Sequence, residues 1–289
     1  MTQSRPQVLF VHGLWLHATS WQPWVDLFAE LGYEASAPGW PGDRVSVAET
    51  RAHADDLAGH GIDDVVALYT DLIRGVGGTA GGDGLADPDR LPILIGHSFG
   101  GAIVEKLLGQ GLAAAAVAID PAPIKGVQAL PLSALRSAFP VLKNPANADR
   151  AVSLTPEQFR YAFGNAISEE ESNELYERWT IPAPGKPLFQ AASANLSRHS
   201  EAAVDTNRSD RGPLLLVAGG QDHTAPEAVT RGTLKQYRHS TAVTDLQELD
   251  DRGHSLTIDH GWRGVAEVVL SWLQTQGLAP QPAPQPKAV

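Results

Sequence analysis

The chain has 289 residues, of which 43% are hydrophobic and 19% are charged, so it can bury a large core and does not have a disordered-type composition. Its formal net charge of -11 argues against nucleic-acid binding, and the absence of cysteine excludes disulfides, thiolate metal ligands and a cysteine nucleophile. The first residues (MTQSRPQ) contain no apolar stretch and no membrane-spanning run follows, so we expect no secretory signal, no membrane contact and a cytoplasmic protein.

Strand and helix patterns alternate through residues 1–122. Short apolar runs predict buried parallel strands, and helical periodicities separate them. The glycine-rich stretch at residues 75–89 lacks the Lys-Ser/Thr ending of a phosphate-binding loop and is predicted to be a surface loop. The predicted strands are residues 8–11 (VLFV), 33–37 (YEASA), 91–96 (LPILIG) and 113–120 (AAAAVAID), and the predicted helices are residues 21–32, 62–76 and 101–111.

The alternation stops near Pro123 and resumes at Pro213. Residues 123–212 carry helical signals instead of strands, including capping-box patterns that begin at Thr155 and Ser168. Strands near residues 214–220 and 243–249, each followed by a helix, complete the pattern. We therefore predict an α/β fold, a mostly parallel doubly wound sheet built from residues 1–122 and 213–278, with residues 123–212 inserted as a helical cap and a disordered proline-rich tail at 279–289.

The motif Gly96-His97-Ser98-Phe99-Gly100 lies between a predicted strand and a predicted helix. A nucleophilic serine has to stand exposed at a sharp strand-to-helix turn, and small residues two positions before and after it let the two elements approach closely. A chain with 28 glycines can match this pattern by chance, but chance rarely supplies both flanks. The context therefore favours Ser98 as a nucleophile over a serine in an ordinary tight turn.

A serine hydroxyl needs a base to remove its proton, and the base needs a carboxylate to orient it. Among ten histidines, His254 lies between the last predicted strand and the last helix, where a loop can reach the serine. Asp222 and Asp120 both follow strands and could orient this histidine. Asp222 lies in a polar turn beyond its strand, which favours it, and Asp120 remains the alternative acid.

Backbone N–H groups must stabilise the oxyanion that forms when a serine attacks a carbonyl. Phe99 N–H, at the start of a helix, and Leu14 N–H, after the first strand, are the predicted donors. Aromatic residues at helical spacing usually belong to the core, but some can line a substrate pocket. The predicted pocket residues are Trp15, Phe159, Phe163 and Trp179.

The order Ser98, Asp222, His254, with HGLW at residues 12–15 and GHSFG at 96–100, resembles the α/β-hydrolase superfamily over roughly residues 8–275. The resemblance implies a sheet of roughly six or seven strands, because VLFV starts so early that the first strands of the full family fold are missing or short. It supports Asp222 as the acid, although some relatives place the acid where Asp120 lies. It implies a serine hydrolase that cleaves a small to medium hydrophobic ester, lactone or thioester through an acyl-enzyme, without metal or cofactor.

Other chemistries on the same fold separate into those that the sequence disfavours and those that it leaves open. Haloalkane dehalogenases and epoxide hydrolases of this fold have an aspartate nucleophile, so Ser98 argues against them. Cofactor-free perhydrolases (haloperoxidases), hydroxynitrile lyases and C–C hydrolases keep a serine triad, and a non-catalytic ligand receptor keeps the fold. The sequence does not identify the substrate or the oligomeric state.

Overall fold

A computed structural model of the protein describes residues 5–77, 90–129 and 131–280. Most of the predicted glycine-rich loop, residues 78–89, lies outside the described residues. The predicted disordered tail also lies outside them from residue 281 onward.

Eight strands occur in the described residues, and six of them form one sheet whose pairs are all parallel. They are β1 (Gln7–Val11), β2 (Glu34–Ser36), β3 (Ile93–His97), β4 (Ala115–Ile119), β5 (Ala151–Val152), β6 (Ala183–Pro184), β7 (Leu214–Gly219) and β8 (Thr244–Leu249). The sheet order is β2-β1-β3-β4-β7-β8. The predicted α/β fold with a mostly parallel sheet is confirmed, and the six strands of this sheet agree with the expected six or seven.

Ten α-helices occur in the part of the chain that the structure describes. The third helix continues to Gly77, so the glycine-rich loop predicted at residues 75–89 begins later than expected. The helices are α1 (Gln22–Glu30), α2 (Val47–Ala52), α3 (Ile62–Gly77), α4 (Phe99–Gly109), α5 (Leu132–Leu142), α6 (Pro156–Ala162), α7 (Glu169–Trp179), α8 (Lys186–Ala192), α9 (Glu227–Gln236) and α10 (Trp262–Thr275).

The core has two layers, one on each face of the sheet. Alternate side chains of a strand point to opposite faces, so Val8 and Phe10 of β1 join one layer while Leu9 and Val11 join the other. Helices α1 and α10 cover the first layer with large aromatic and aliphatic residues, and α3, α4 and α9 cover the second. Burial on both faces explains why these strands have continuous apolar sequences.

The segment between β4 and β7 contains α5 to α8, as the helical pattern predicts, but it also contains a two-stranded antiparallel ribbon. The prediction of helices alone is therefore wrong at β5 and β6, because strands of two residues are too short to show alternation. Thr155 forms the full capping box. Ser168 makes only half of a capping box: its Oγ accepts from the Glu171 backbone N–H. The Glu171 carboxylate does not return to Ser168, because it accepts from the His260 backbone N–H and contacts the His260 ring.

This inserted segment packs against loops at the carboxyl end of the sheet. Thr224 Oγ1, in the loop after β7, donates to Ala162 O at 2.7 Å. The backbone N–H of Ser255, in the loop after β8, donates to Phe163 O at 3.2 Å. Trp15 Nε1, in the loop after β1, donates to Val152 O at 3.0 Å. Three loops of the sheet are thus tied to the insertion, and its definition as a separate cap stays a prediction.

Candidate active site

Ser98 occupies the sharp turn between β3 and α4. Its φ of 57° lies in the left-handed region, with ψ at -121°. A Cβ on Gly96 would lie 2.1 Å from Gly100 O, and a Cβ on Gly100 would lie 2.0 Å from Val11 O. Both positions therefore require glycine, because the strand and the helix approach too closely for any side chain. The predicted strained turn is present at the predicted residue.

A continuous hydrogen-bond chain connects Ser98 with His254 and Asp222. Ser98 Oγ lies 3.1 Å from His254 Nε2, and His254 Nδ1 lies 2.5 Å from Asp222 Oδ2. Because an ionised carboxylate only accepts, Nδ1 carries the proton and Nε2 is free to accept from the serine. The other oxygen, Asp222 Oδ1, accepts from the backbone N–H groups of Thr224 at 2.6 Å and Ala225 at 2.9 Å.

The surroundings of Asp222 keep it ionised although it is buried. Burial acts against the charged form, but the electrostatic attraction of the His254 ring, its Nδ1–H hydrogen bond and a hydrogen bond at Asp120 outweigh burial. Together with the amide donors of the loop, they hold the pKa of Asp222 below its ordinary value. A carboxylate of this kind fixes the histidine tautomer and stabilises the imidazolium that forms after proton transfer.

Asp120, the alternative acid, also lies at the site, but it does not form the hydrogen bond to His254 Nδ1. Its Oδ1 accepts from the Gly219 backbone N–H at 2.6 Å. Among the described residues that are not glycine, positive φ angles occur only at Trp15 (67°), Ser98 (57°) and Asp120 (42°). All three follow strands at the same edge of the sheet, which is the clustering of backbone strain expected at a functional site.

The loop after β1 lies directly against the serine. A Cβ on Gly13 would be 2.7 Å from Ser98 Cβ, so only glycine lets this loop approach. Leu14 and Phe99, the residues that follow Gly13 and Ser98, are both buried, with 2% and 5% of the residue surface exposed. Neither backbone N–H donates to another described residue in a loop, turn or cap. Both predicted oxyanion donors thus belong to residues next to the serine turn, and their assignment to the oxyanion stays a prediction.

The four predicted pocket aromatics differ in their distance from the chemistry. The Phe163 ring packs edge-on against the His254 ring with centroids 4.8 Å apart, and Trp15 packs against Phe163 at 6.4 Å. Phe159 is fully buried and stacks on the Phe163 ring with centroids 4.9 Å apart, so it supports Phe163 and has no exposed surface of its own. Trp179 is half-buried beneath the guanidinium of Arg178, which lies 4.5 Å from the ring centroid, and among the described residues its ring does not pack against that of His254.

His97 lies inside the GHSFG motif, and its ring packs on that of His254 with centroids 4.5 Å apart. Burial, followed by the charge of His254, lowers the pKa of His97 well below its ordinary value, so this ring is neutral. In the described chain, His97, Asp120 and His254 form a group with ligand-type atoms within 4.8 Å of one another. A metal there would compete with the bonds of His254 to Ser98 and Asp222.

A second buried pair, His12 and Asp43, holds the loop after β1 and was not found from the sequence. His12 Nε2 lies 3.0 Å from Asp43 Oδ2, and both side chains are at most 4% exposed. His12 Nδ1 lies 2.8 Å from Gly13 O, and the Trp40 ring packs against the imidazole at 5.3 Å. The sequence signal for this pair is the histidine of the HG dipeptide, because a histidine next to the glycine can hold the loop through hydrogen bonds of its ring.

The sequence matches the alpha/beta hydrolase family over residues 8–268, which includes the strained serine turn, the histidine and both acids. The chain belongs to the alpha/beta hydrolase family. A comparison with curated protein sequences gives no significant match.

Solved structures with the same fold as this alpha/beta hydrolase include lipases and esterases. Polyneuridine aldehyde esterase has a TM-score of 0.65 at 18% identity, covering 93% of this chain and 99% of its own. A methylesterase from Arabidopsis has a TM-score of 0.63 at 15% identity, with the same coverage of 93% and 99%. The monoacylglycerol lipase of Paleococcus ferrophilus has a TM-score of 0.61 at 18% identity, covering 94% and 96%. Identities this low establish the fold alone.

Within the residues that the structure describes, no helix is both long and apolar enough to cross a bilayer.

Proposed function

We propose that this alpha/beta hydrolase cleaves small to medium hydrophobic carboxylic esters, or related lactones and thioesters, through an acyl-enzyme on Ser98. The proposal depends on one observation: a strained, turn-mounted serine oxygen lies 3.1 Å from an imidazole nitrogen whose ring is oriented by Asp222. That arrangement activates a hydroxyl that is otherwise a poor nucleophile.

The proposed reaction has two acyl-transfer steps. Ser98 Oγ attacks the ester carbonyl carbon while His254 Nε2 accepts the serine proton, and the amides of Leu14 and Phe99 donate to the oxyanion. His254 then protonates the leaving alcohol. In the second step water attacks the acyl-enzyme, His254 takes a proton from that water, and the proton returns to Ser98 as the acid leaves. Asp222 stays ionised throughout and stabilises the imidazolium.

The surroundings of the triad support an apolar substrate of limited size. The Phe163 ring packs against His254, the Trp15 ring packs against Phe163, and aromatic walls favour hydrophobic groups. Ser98 is only 6% exposed beneath the inserted segment, which restricts access to the nucleophile. The structures similar in fold include a lipase, a methylesterase and an esterase, which supports an ester rather than a cyanohydrin or a peracid as the substrate class.

A panel of p-nitrophenyl esters with graded acyl length tests both the reaction and the size limit. We expect turnover of short and medium acyl chains and a steep decline for long ones, because the nucleophile is buried. Ser98→Ala should lower turnover by about 10⁴-fold or more. Ser193→Ala, at an exposed serine, is the matched control and should behave as wild type.

The same preparation separates the alternatives. Cyanohydrin cleavage without ester turnover would favour a lyase, and peracid formation from peroxide and acetate would favour a perhydrolase. Ligand binding with no turnover of any of these substrates would favour a receptor. Ester hydrolysis that survives Ser98→Ala would show that the proposed nucleophile is wrong.

A further inference from the structure

The buried carboxyl groups of Asp120 and Asp222 both lie beside the His254 imidazole. The neighbouring strands β4 and β7 pair Ile119 with Val217, and each strand is followed by an aspartate. The backbone N–H of Asp120 donates to Val217 O at 2.8 Å, and Asp120 Oδ1 accepts from Gly219 N–H at 2.6 Å. Asp222 lies three residues further on, and its backbone N–H donates to Gly219 O at 3.2 Å, so both aspartates bind Gly219. Asp120 has no exposed surface and Asp222 is only 4% exposed.

Two adjoining buried carboxyl groups do not both ionise, because their charges repel each other at low dielectric. Asp222 has an imidazole and two backbone N–H donors, whereas Asp120 has one backbone donor. No donor among the described residues reaches Asp120 Oδ2. The other titratable groups beside Asp120 are the rings of His97 and His254.

The proton of the pair therefore belongs on Asp120. Burial raises the pKa of Asp120 well above its ordinary value, and the charge of Asp222 raises it further. A protonated Oδ2 needs an acceptor and not a donor, which accounts for the missing donor at that atom. The positive φ of 42° is tolerated because a short polar side chain can adopt the left-handed region.

We propose that Asp120 is a positioning residue, a neutral carboxylic acid that donates its proton to Asp222 and extends the triad to a chain of four: Ser98, His254, Asp222 and Asp120. The catalytic part of this proposal rests on the proposed hydrolase function. Asp120 does not contact the substrate and exchanges no proton with it. It holds the Asp222 carboxylate through this hydrogen bond and spreads its negative charge over a second group.

An infrared measurement tests the proton without using activity. At neutral pH, the difference spectrum between wild type and Asp120→Asn should contain the carbonyl stretch of one protonated carboxylic acid. Glu105→Gln identifies the similar band expected from Glu105, whose pKa burial raises to about 8. Loss of an ionised carboxylate band in Asp120→Asn, in place of the protonated band, would overturn the proposal.

The pH dependence of kcat/KM for an ester tests the positioning role. Asp120→Asn keeps a donor toward Asp222 and an acceptor for Gly219, so its kcat/KM should stay within a few-fold of wild type and its acidic limb should not move. Asp120→Gly accepts the positive φ but removes the donor, so kcat should fall about tenfold or more and the acidic limb should move to higher pH. Titration of active sites with a fluorophosphonate corrects each variant for misfolded protein.

Each outcome has a separate meaning. An acidic limb that moves to lower pH in Asp120→Asn would show that a negative charge had been removed, and would overturn the neutral assignment. A profile of Asp120→Gly identical to wild type would overturn the positioning role. If wild type hydrolyses no ester, the proposed function fails, and the infrared spectrum still decides where the proton lies.

Discussion

Gly13→Ala is a sharp perturbation of the oxyanion loop, because it adds a single methyl group between that loop and the nucleophile. The added Cβ would lie 2.7 Å from Ser98 Cβ and 2.9 Å from His97 O, well inside the 3.4–4 Å of ordinary van der Waals contact. Neither atom can yield, since Ser98 is fixed at the turn and His97 belongs to β3. The loop itself must move away, and Leu14 N–H moves with it.

The size of the effect follows from the loss of one oxyanion donor. A displaced donor of this kind costs about 10²–10³-fold in kcat, or about 3–4 kcal/mol of transition-state stabilisation. We expect KM to change much less, because the donor acts on the charge that develops during attack and contributes little to substrate binding. Steady-state kinetics on a short-chain ester, with active sites titrated, measure both constants.

The control is Gly264→Ala in α10, where an added Cβ meets no atom within 4 Å and the residue is helical. It should keep wild-type kcat and match or exceed wild-type stability, since alanine is the better helix former by up to about 1 kcal/mol. A folded Gly13→Ala enzyme with wild-type kcat would refute the assignment of Leu14 N–H to the oxyanion.

Two further predictions concern buried groups. Burial raises the pKa of Glu105 to about 8, against a hydrogen bond from Tyr237 and the charge of Arg211, so the folded state keeps a proton that the unfolded state has released. Stability should therefore fall as pH rises from about 4.5 to 8, and Glu105→Gln should gain on wild type by on the order of 5 kcal/mol across that window in thermal unfolding. A stability difference that stays constant with pH would contradict this. Phe163→Ala should lower the free energy of unfolding by about 3 kcal/mol or more and also lower kcat, because the ring packs on His254. Trp179→Ala, at a half-buried ring, should change both less, and the opposite order would place the pocket elsewhere.

The sheet and the serine turn could be predicted because their sequence signals are local. Strands buried on both faces appear as short apolar runs, and the glycines around Ser98 are required by contacts of 2.0–2.1 Å that no other residue allows. His254 could be found because the loop after the last strand ends at the same edge of the sheet as the serine. The ribbon of β5 and β6 could not be predicted, because a strand of two residues is too short to show an alternating pattern.

The relation between the two aspartates could not be predicted, because both follow strands and both are buried. Only the side-chain geometry distinguishes them. Asp222 accepts hydrogen bonds from His254 Nδ1 and two backbone N–H groups, while Asp120 accepts one from the Gly219 backbone N–H. The sequence presents the two aspartates as alternatives, whereas the structure buries both beside His254. The contact between Phe163 and His254 could not be predicted either, because the helical spacing of Phe163 to Phe159 indicates only that the two rings share a helix face.

The most direct test of the central claim is reaction of the wild-type protein with a fluorophosphonate, followed by mass-spectrometric mapping of the modified peptide. The account predicts one adduct per chain, on Ser98, at a rate that falls sharply in His254→Ala and Asp222→Asn. A folded protein that leaves Ser98 unmodified, or that is modified at another serine at an equal rate, would contradict it.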